Sequence, residues 1–282
     1  MLQRFRLSST WLGAGVLAAA AWSAPAAAQG DLLVAPTRVI VSGAGSSEVV
    51  LSNIGNAPAT YRISLELRRM EADGNFKEIP EAEATPAEKS ALEMVRHAPR
   101  RITLLPGQPQ AVRISARPAP ELPDGEYRVH MSFRAVPPAV TPEEAAKEAQ
   151  APAATGGGLT IKLTPVYGIT IPVFVRKGNL DAKASLANAH LVRNSDGAYV
   201  ELDMARSGQR SVYGELIGKS PSGEVLFNMR GVAVYTEITS RTVRVPIGAD
   251  QLPKLRGPVR IEYRELPENG GQLLAETTAN LN

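Results

Sequence analysis

LTIKLTPVYGITIPVFVR, Leu159 to Arg176, decides the fold, because every odd position in it is apolar: Leu159, Ile161, Leu163, Pro165, Tyr167, Ile169, Ile171, Val173 and Val175. The even positions are mixed and include Thr160, Lys162, Thr164, Thr170 and Arg176. A period of two is the mark of a β-strand with one buried face. Strands usually run about five or six residues, so this one is roughly three times the common length. Pro165 and Pro172 lack the N–H that a central strand needs, which predicts a strand that lies at an edge or changes partners along its length. A long apolar edge is an aggregation hazard, so a chain that keeps one is expected to use it.

Working outward, the same strand-and-turn rhythm fills the chain. Leu32 to Val41 alternates, Gly43-Ala44-Gly45 turns, and Glu48 to Ser52 continues. Tyr61, Ile63, Leu65 and Leu67 line one face of a further strand, and Asp73-Gly74 signals a hairpin. Pro106-Gly107 separates two more strands. After Asp124-Gly125, the residues Tyr127, Val129, Met131 and Phe133 point inward, with Arg128, His130, Ser132 and Arg134 outward. Thr85-Pro86-Ala87-Glu88 and Thr141-Pro142-Glu143-Glu144 each place Thr at an N-cap, Pro at the first helical position and Glu at the third, predicting two short helices. The Ala- and Glu-rich stretch from Ala139 to Gly158 reads as a mobile loop feeding the long strand. Beyond a hinge at Lys177-Gly178-Asn179, about a hundred residues of short strands and turns predict an immunoglobulin-like sandwich. The expected architecture is therefore all-β, with two immunoglobulin-like β-sandwich domains in tandem and at an angle, spanning residues 29–176 and 177–282.

The first 28 residues read as a secretory signal peptide. MLQRFR is basic, the apolar run from Trp11 to Trp22 is short of the ~20 residues of a spanning helix, and SAPAAA supplies small residues before cleavage after Ala28. The chain has no cysteine, so an exported product depends on packing and not on disulfides, and a lipid-modified cysteine anchor is excluded. A net charge of +3 made of interspersed charges, with no aromatic ladder beside the short basic runs, argues for solvated faces and against a nucleic-acid surface.

Catalytic and cofactor motifs are absent from the sequence. His97, His130 and His190 stand far apart and none sits at metal-ligand spacing with another ligand. Gly218-Lys219-Ser220 imitates the end of a phosphate loop, but Tyr213 occupies the place of the required glycine. No G-x-S-x-G elbow occurs. The expectation is a protein that is not an enzyme, with no catalytic residue, metal or cofactor.

Several segments together resemble the periplasmic pilus (fimbrial) assembly chaperones. They are Pro36-Thr37-Arg38-Val39-Ile40 on the first strand, Ser52-Asn53 with the Pro58 turn, Leu105-Pro106-Gly107-Gln108 followed by Val112-Arg113-Ile114, Leu122-Pro123-Asp124-Gly125-Glu126-Tyr127 leading to Val136-Pro137-Pro138, and Val173-Phe174-Val175-Arg176 before the hinge. The resemblance covers nearly the whole first domain, and the second matches in size and strand content. It implies a periplasmic chaperone that binds and stabilises pilus subunits by donor-strand complementation without ATP. The lending residues would be Ile161, Leu163, Pro165 and Tyr167, extended by Ile169. Arg38 would grip the subunit's C-terminal carboxylate, and Glu126 and Arg176 would form an interdomain ion pair. The resemblance also implies an outer-membrane usher as a partner and a free edge open to self-association, with no membrane insertion after signal cleavage. One position departs from the family: where a lysine usually assists the arginine, four residues before Arg176, this chain has Pro172. The rival reading is a secreted two-domain immunoglobulin-like adhesin or binding module, which has no need of Arg38 or of the long strand.

Overall fold

The computed structural model describes residues 32–137, 142, 166–195 and 197–281. The expected signal peptide, all of the second short helix except Pro142, and the lending positions Ile161, Leu163 and Pro165 lie outside the described residues.

The first domain is built from β1 (Leu32–Ala35), β2 (Val39–Ser42), β3 (Gly45–Asn53), β4 (Ala59–Met70), β5 (Phe76–Ile79), helix α1 (Pro86–Met94), β6 (Val95–Ala98), β7 (Arg101–Leu104), β8 (Pro109–Ala116), β9 (Gly125–Val136) and β10 (Gly168–Lys177). One sheet has the order β1-β3-β8-β6 and the other β2-β10-β9-β4-β5, with β7 also on β4. Alternation in the sequence becomes alternation in space. Val49, Leu51, Val112 and Ile114 from the first sheet meet Tyr61, Ile63, Val129, Met131, Phe133, Val173 and Val175 from the second in one core. Each such side chain contributes about 1.5–3 kcal/mol when fully withdrawn from water.

The stretch from Leu32 to Val41, which reads as one strand, is two. Pro36 cannot donate to a ladder, and the chain crosses there from one sheet to the other: β1 pairs with β3, while β2 pairs with β10. The Ala35–Pro36 peptide bond is cis. Arg38 consequently sits on the corner between β1 and β2 and not within a strand.

Helix α1 follows its capping signal. The Thr85 hydroxyl accepts the Glu88 N–H at 3.3 Å, the Glu88 carboxylate accepts the Thr85 N–H at 2.8 Å, and Pro86 opens the helix. Ala91 and Met94 face the core. The same Glu88 carboxylate takes two N–H groups of Arg69 at 2.6 Å. Arg69 first, and then the Thr85 N–H and hydroxyl, hold the Glu88 carboxyl down at about 2. A depressed carboxylate stabilises the fold above its unfolded pKa, near 4.5, and that contribution is lost as pH falls from there through about 2. Glu88→Gln is therefore expected to show a shallower loss of urea midpoint than the wild type over that interval, with the two converging at its acid end. Parallel acid limbs would show that this pair does not govern them.

The second domain comprises β11 (Ala182–Asn194), β12 (Gly197–Gly208), β13 (Val212–Lys219), β14 (Val225–Val234), β15 (Ser240–Ile247), β16 (Pro258–Arg264) and β17 (Leu273–Asn280). Its sheets run β11-β12-β15 and β14-β13-β16-β17. Val200, Leu202, Met204, Leu216, Val243, Val245, Ile261 and Tyr263 form its core, and the buried Tyr263 hydroxyl donates to the Val232 carbonyl at 2.9 Å. The chain is thus two immunoglobulin-like sandwiches in tandem. β17 is an edge strand, LLAETTAN, whose run of small and polar residues gives no strong period-two signal.

A third apolar cluster joins the two domains: Met70 and Phe174 from the first pack against Ala233 and Tyr235 from the second. The β4–β5 hairpin adds to it. Phe76 packs against both His130 and Tyr235, with ring centroids 5.4 and 5.6 Å apart. Gly74, at φ +87°, lies under the Arg241 guanidinium, where a Cβ would come within 2.1 Å of Arg241 Nη2.

Candidate functional site

β10 pairs with β9 along its whole length, Gly168–Lys177 against Arg134–Gly125, antiparallel. Its other side is used only in part. β2 lies parallel to it from Val173 to Arg176, and Gly168 to Pro172 have no strand partner on that side among the described residues. Pro172 is the last residue before the change. The Tyr167 carbonyl accepts the Ala135 N–H, on the β9 side, and the Arg176 carbonyl accepts the Gly43 N–H, on the β2 side. Main-chain groups alternate along a strand, so residues 168, 170 and 172 direct theirs to the open side. A proline fits there because the N–H it lacks would face no strand partner among the described residues.

Side chains alternate the other way. Ile171, Val173 and Val175 enter the core of the first domain. Phe174, on the opposite face, is also fully buried, because the second domain covers it through Tyr235 at a ring separation of 5.4 Å. The same cover reaches β9. His130, expected to face outward, is 3% exposed, and burial, with help from Arg128 and Arg68, pulls it down to about 3. Arg128 is sequestered beside it, its guanidinium 4.2 Å from the Tyr235 ring centre and ion-paired with Glu237 of the second domain. The Glu237 carboxylate also accepts the Met70 N–H at 2.6 Å.

Arg38 occupies the mouth of this junction. Its guanidinium carbon lies 3.8 Å from the Phe174 ring centre and 4.4 Å from that of Tyr213. Nη1 donates to the Tyr235 hydroxyl at 3.1 Å and Nη2 to the Ser211 hydroxyl at 3.2 Å. Aromatic contact and hydrogen bonds therefore fix the group without neutralising it. A guanidinium has five N–H donors, and Arg38 has no carboxylate partner among the described residues. Burial lowers its pKa, while Tyr235 and Glu126 pull the other way; arginine remains charged throughout the physiological range. Arg38, Arg176 and Arg210 line one cleft between the domains, of about 430 Å³, together with Ser211, Tyr213 and Glu265. The cleft can take a carboxylate: it offers a held, charged fork of donors in partly dry surroundings.

Glu126 and Arg176 meet at the back of the cleft, Nε to Oε2 at 2.9 Å. The other carboxylate oxygen accepts the Ser211 N–H at 3.0 Å. Both members of the ion pair belong to the first domain, so the expected interdomain ion pair is a pair within that domain, and its link to the second domain is this backbone amide. Tyr167 is 51% exposed, just before β10, and Ile169 is half-buried against the core of the first domain. Pro172 stands opposite His130, and no lysine is among the residues that line the cleft. The aromatic cage of Tyr213 and Tyr235, with Ser211, had no signal in the sequence. Among the described residues no group of three or more His, Cys, Asp or Glu is arranged to hold a metal, and no helix is long and apolar enough to cross a membrane.

No protein-family model matches the sequence, and no curated protein matches it. Solved structures do. The chain is similar to the YadV chaperone at 15% identity and a TM-score of 0.46, covering 89% of this chain and 100% of that one. It is similar to the E. coli chaperone DraB at 14% identity and a TM-score of 0.45, over 89% and 96% of the two chains. A chain of the Salmonella enterica complex of SafA pilin with the SafB chaperone matches at 16% identity and a TM-score of 0.43, over 89% and 96%.

Proposed function

We propose that the protein is an exported periplasmic chaperone that receives pilus-type subunits lacking their final strand. It lends them the alternating residues Ile161, Leu163, Pro165, Tyr167 and Ile169, and holds the subunit's terminal carboxylate on Arg38. The observation that carries this reading is the meeting of two features at one point. The unpaired side of β10 ends at Pro172, and the paired side begins at Val173 opposite Val39, the residue after Arg38. A guest strand laid along the open side, with its carboxylate at Arg38, would run parallel to β10 and end to end with β2. Main-chain hydrogen bonds would supply affinity, and the alternate apolar side chains would enter the guest's unfinished core. Such binding draws on strand pairing and apolar burial and needs no nucleotide. Outer-membrane ushers are the partners to which loaded subunits would pass, and an unoccupied open edge would be available for self-association.

The test is a pull-down of tagged protein from the periplasm of its native cells, run beside Leu163→Asp, with captured proteins identified by mass spectrometry. An ionised carboxylate forced into an apolar groove costs several kcal/mol, so the variant is expected to retain less than a tenth of the small β-rich subunits held by the wild type. Equal capture would overturn strand lending. An empty wild-type lane, from cells shown to be making a fibre, would overturn the chaperone reading and favour the adhesin.

A further inference from the structure

We infer that Arg210, from the second domain, is a second cation on the terminal carboxylate, so that the anchor is a clamp made by both domains; this rests on the carboxylate reading of Arg38 above. Arg210 lines the same cleft of about 430 Å³ as Arg38. Its main chain is fixed from both sides: the N–H donates to the Asp181 carbonyl at 3.3 Å, and the carbonyl accepts Arg206 Nη1 at 3.2 Å. The next residue, Ser211, is docked on the first domain through its hydroxyl to Arg38 and its N–H to Glu126. The root of the Arg210 side chain is thereby set relative to Arg38.

The charges of the cleft are unequal in their use. Arg176 spends its charge on Glu126. Arg210 has no ion pair or side-chain hydrogen bond among the described residues, and Arg38 has no carboxylate partner there. Glu265 lines the cleft as well, yet is ion-paired with neither. Two guanidinium groups facing one partly dry cleft repel each other until an anion lies between them. A carboxylate suits that place, since its two oxygens offer about four acceptor sites and can serve two arginines at once. The ligand class is the free carboxyl terminus of a polypeptide in extended form, whose strand is directed into the cleft by the open side of β10.

The experiment compares the acetylated hexapeptide Thr-Val-Thr-Val-Thr-Val as free acid and as C-terminal amide. Each is titrated into the full chain as wild type, Arg210→Gln and Arg38→Ala. The wild type is expected to prefer the acid. Arg210→Gln should weaken the acid about tenfold, which is ~1.4 kcal/mol, leave the amide unchanged, and leave the melting temperature unchanged because the side chain bonds nothing else among the described residues. If Arg210→Gln keeps the wild-type preference for the acid, or weakens both peptides equally, the inference is overturned while the Arg38 anchor stands. A wild type that binds acid and amide alike would overturn the anchor itself.

Discussion

Arg38→Ala is expected to weaken capture of a subunit by about 2–5 kcal/mol, roughly 30- to 5,000-fold, with the chain still folded. The size follows from the setting. The guanidinium is stacked on Phe174 and Tyr213 and tied to Tyr235 and Ser211, so it would meet a guest carboxylate already oriented, with little ordering cost left to subtract. Its removal also withdraws these ring contacts from the domain junction, each about 0.5–2 kcal/mol, so a fall of a few degrees in melting temperature should accompany it. Arg38→Lys separates the two effects. It restores a positive charge but not the planar fork or the stacking surface, and should recover little of the capture. Capture by Arg38→Ala within twofold of wild type would dismiss the anchor.

Glu126→Ala should be the most disruptive change at the junction, costing roughly 3–5 kcal/mol of stability. The Glu126 side chain is 1% exposed and serves Arg176 and the Ser211 N–H together. Removing it strands a guanidinium and an amide in partly buried positions. The lower end of the range applies, because Arg176 retains 22% exposure and can recruit water. One link between the domains is lost with it, so thermal unfolding should broaden or divide into two transitions, and Glu126→Gln, which keeps an acceptor for Ser211, should fall between. A single unshifted transition in Glu126→Ala would show that the junction is held by the Met70, Phe174, Ala233 and Tyr235 cluster alone.

The strands were legible because one face of each meets a core: Tyr127, Val129, Met131 and Phe133 alternate in the chain and in space. What the sequence concealed lies where a second surface covers the outer face. Phe174 and His130 sit at positions that period two assigns to solvent, and both are buried because Tyr235 and Phe76 arrive from elsewhere. Arg38 was visible only through its resemblance to a family. Its cage was not visible at all, since Ser211 and Tyr235 lie 173 and 197 residues further on. The partner of Glu126 was hidden for another reason. It is a main-chain N–H, and no residue type announces it.

Pro172 bears on how a guest would leave. Bound beside it, a visiting strand would find no donor at that rung, between the rungs at Gly168 and Thr170 and the grip on its tail. The attachment would behave as two short fastenings with a gap between them, not as one continuous zipper. A competing strand could then undo the run of hydrogen bonds rung by rung while the tail stayed held, and the last grip would yield only when the exchange was nearly complete. Handover by that route would never set an unfinished subunit free in solution.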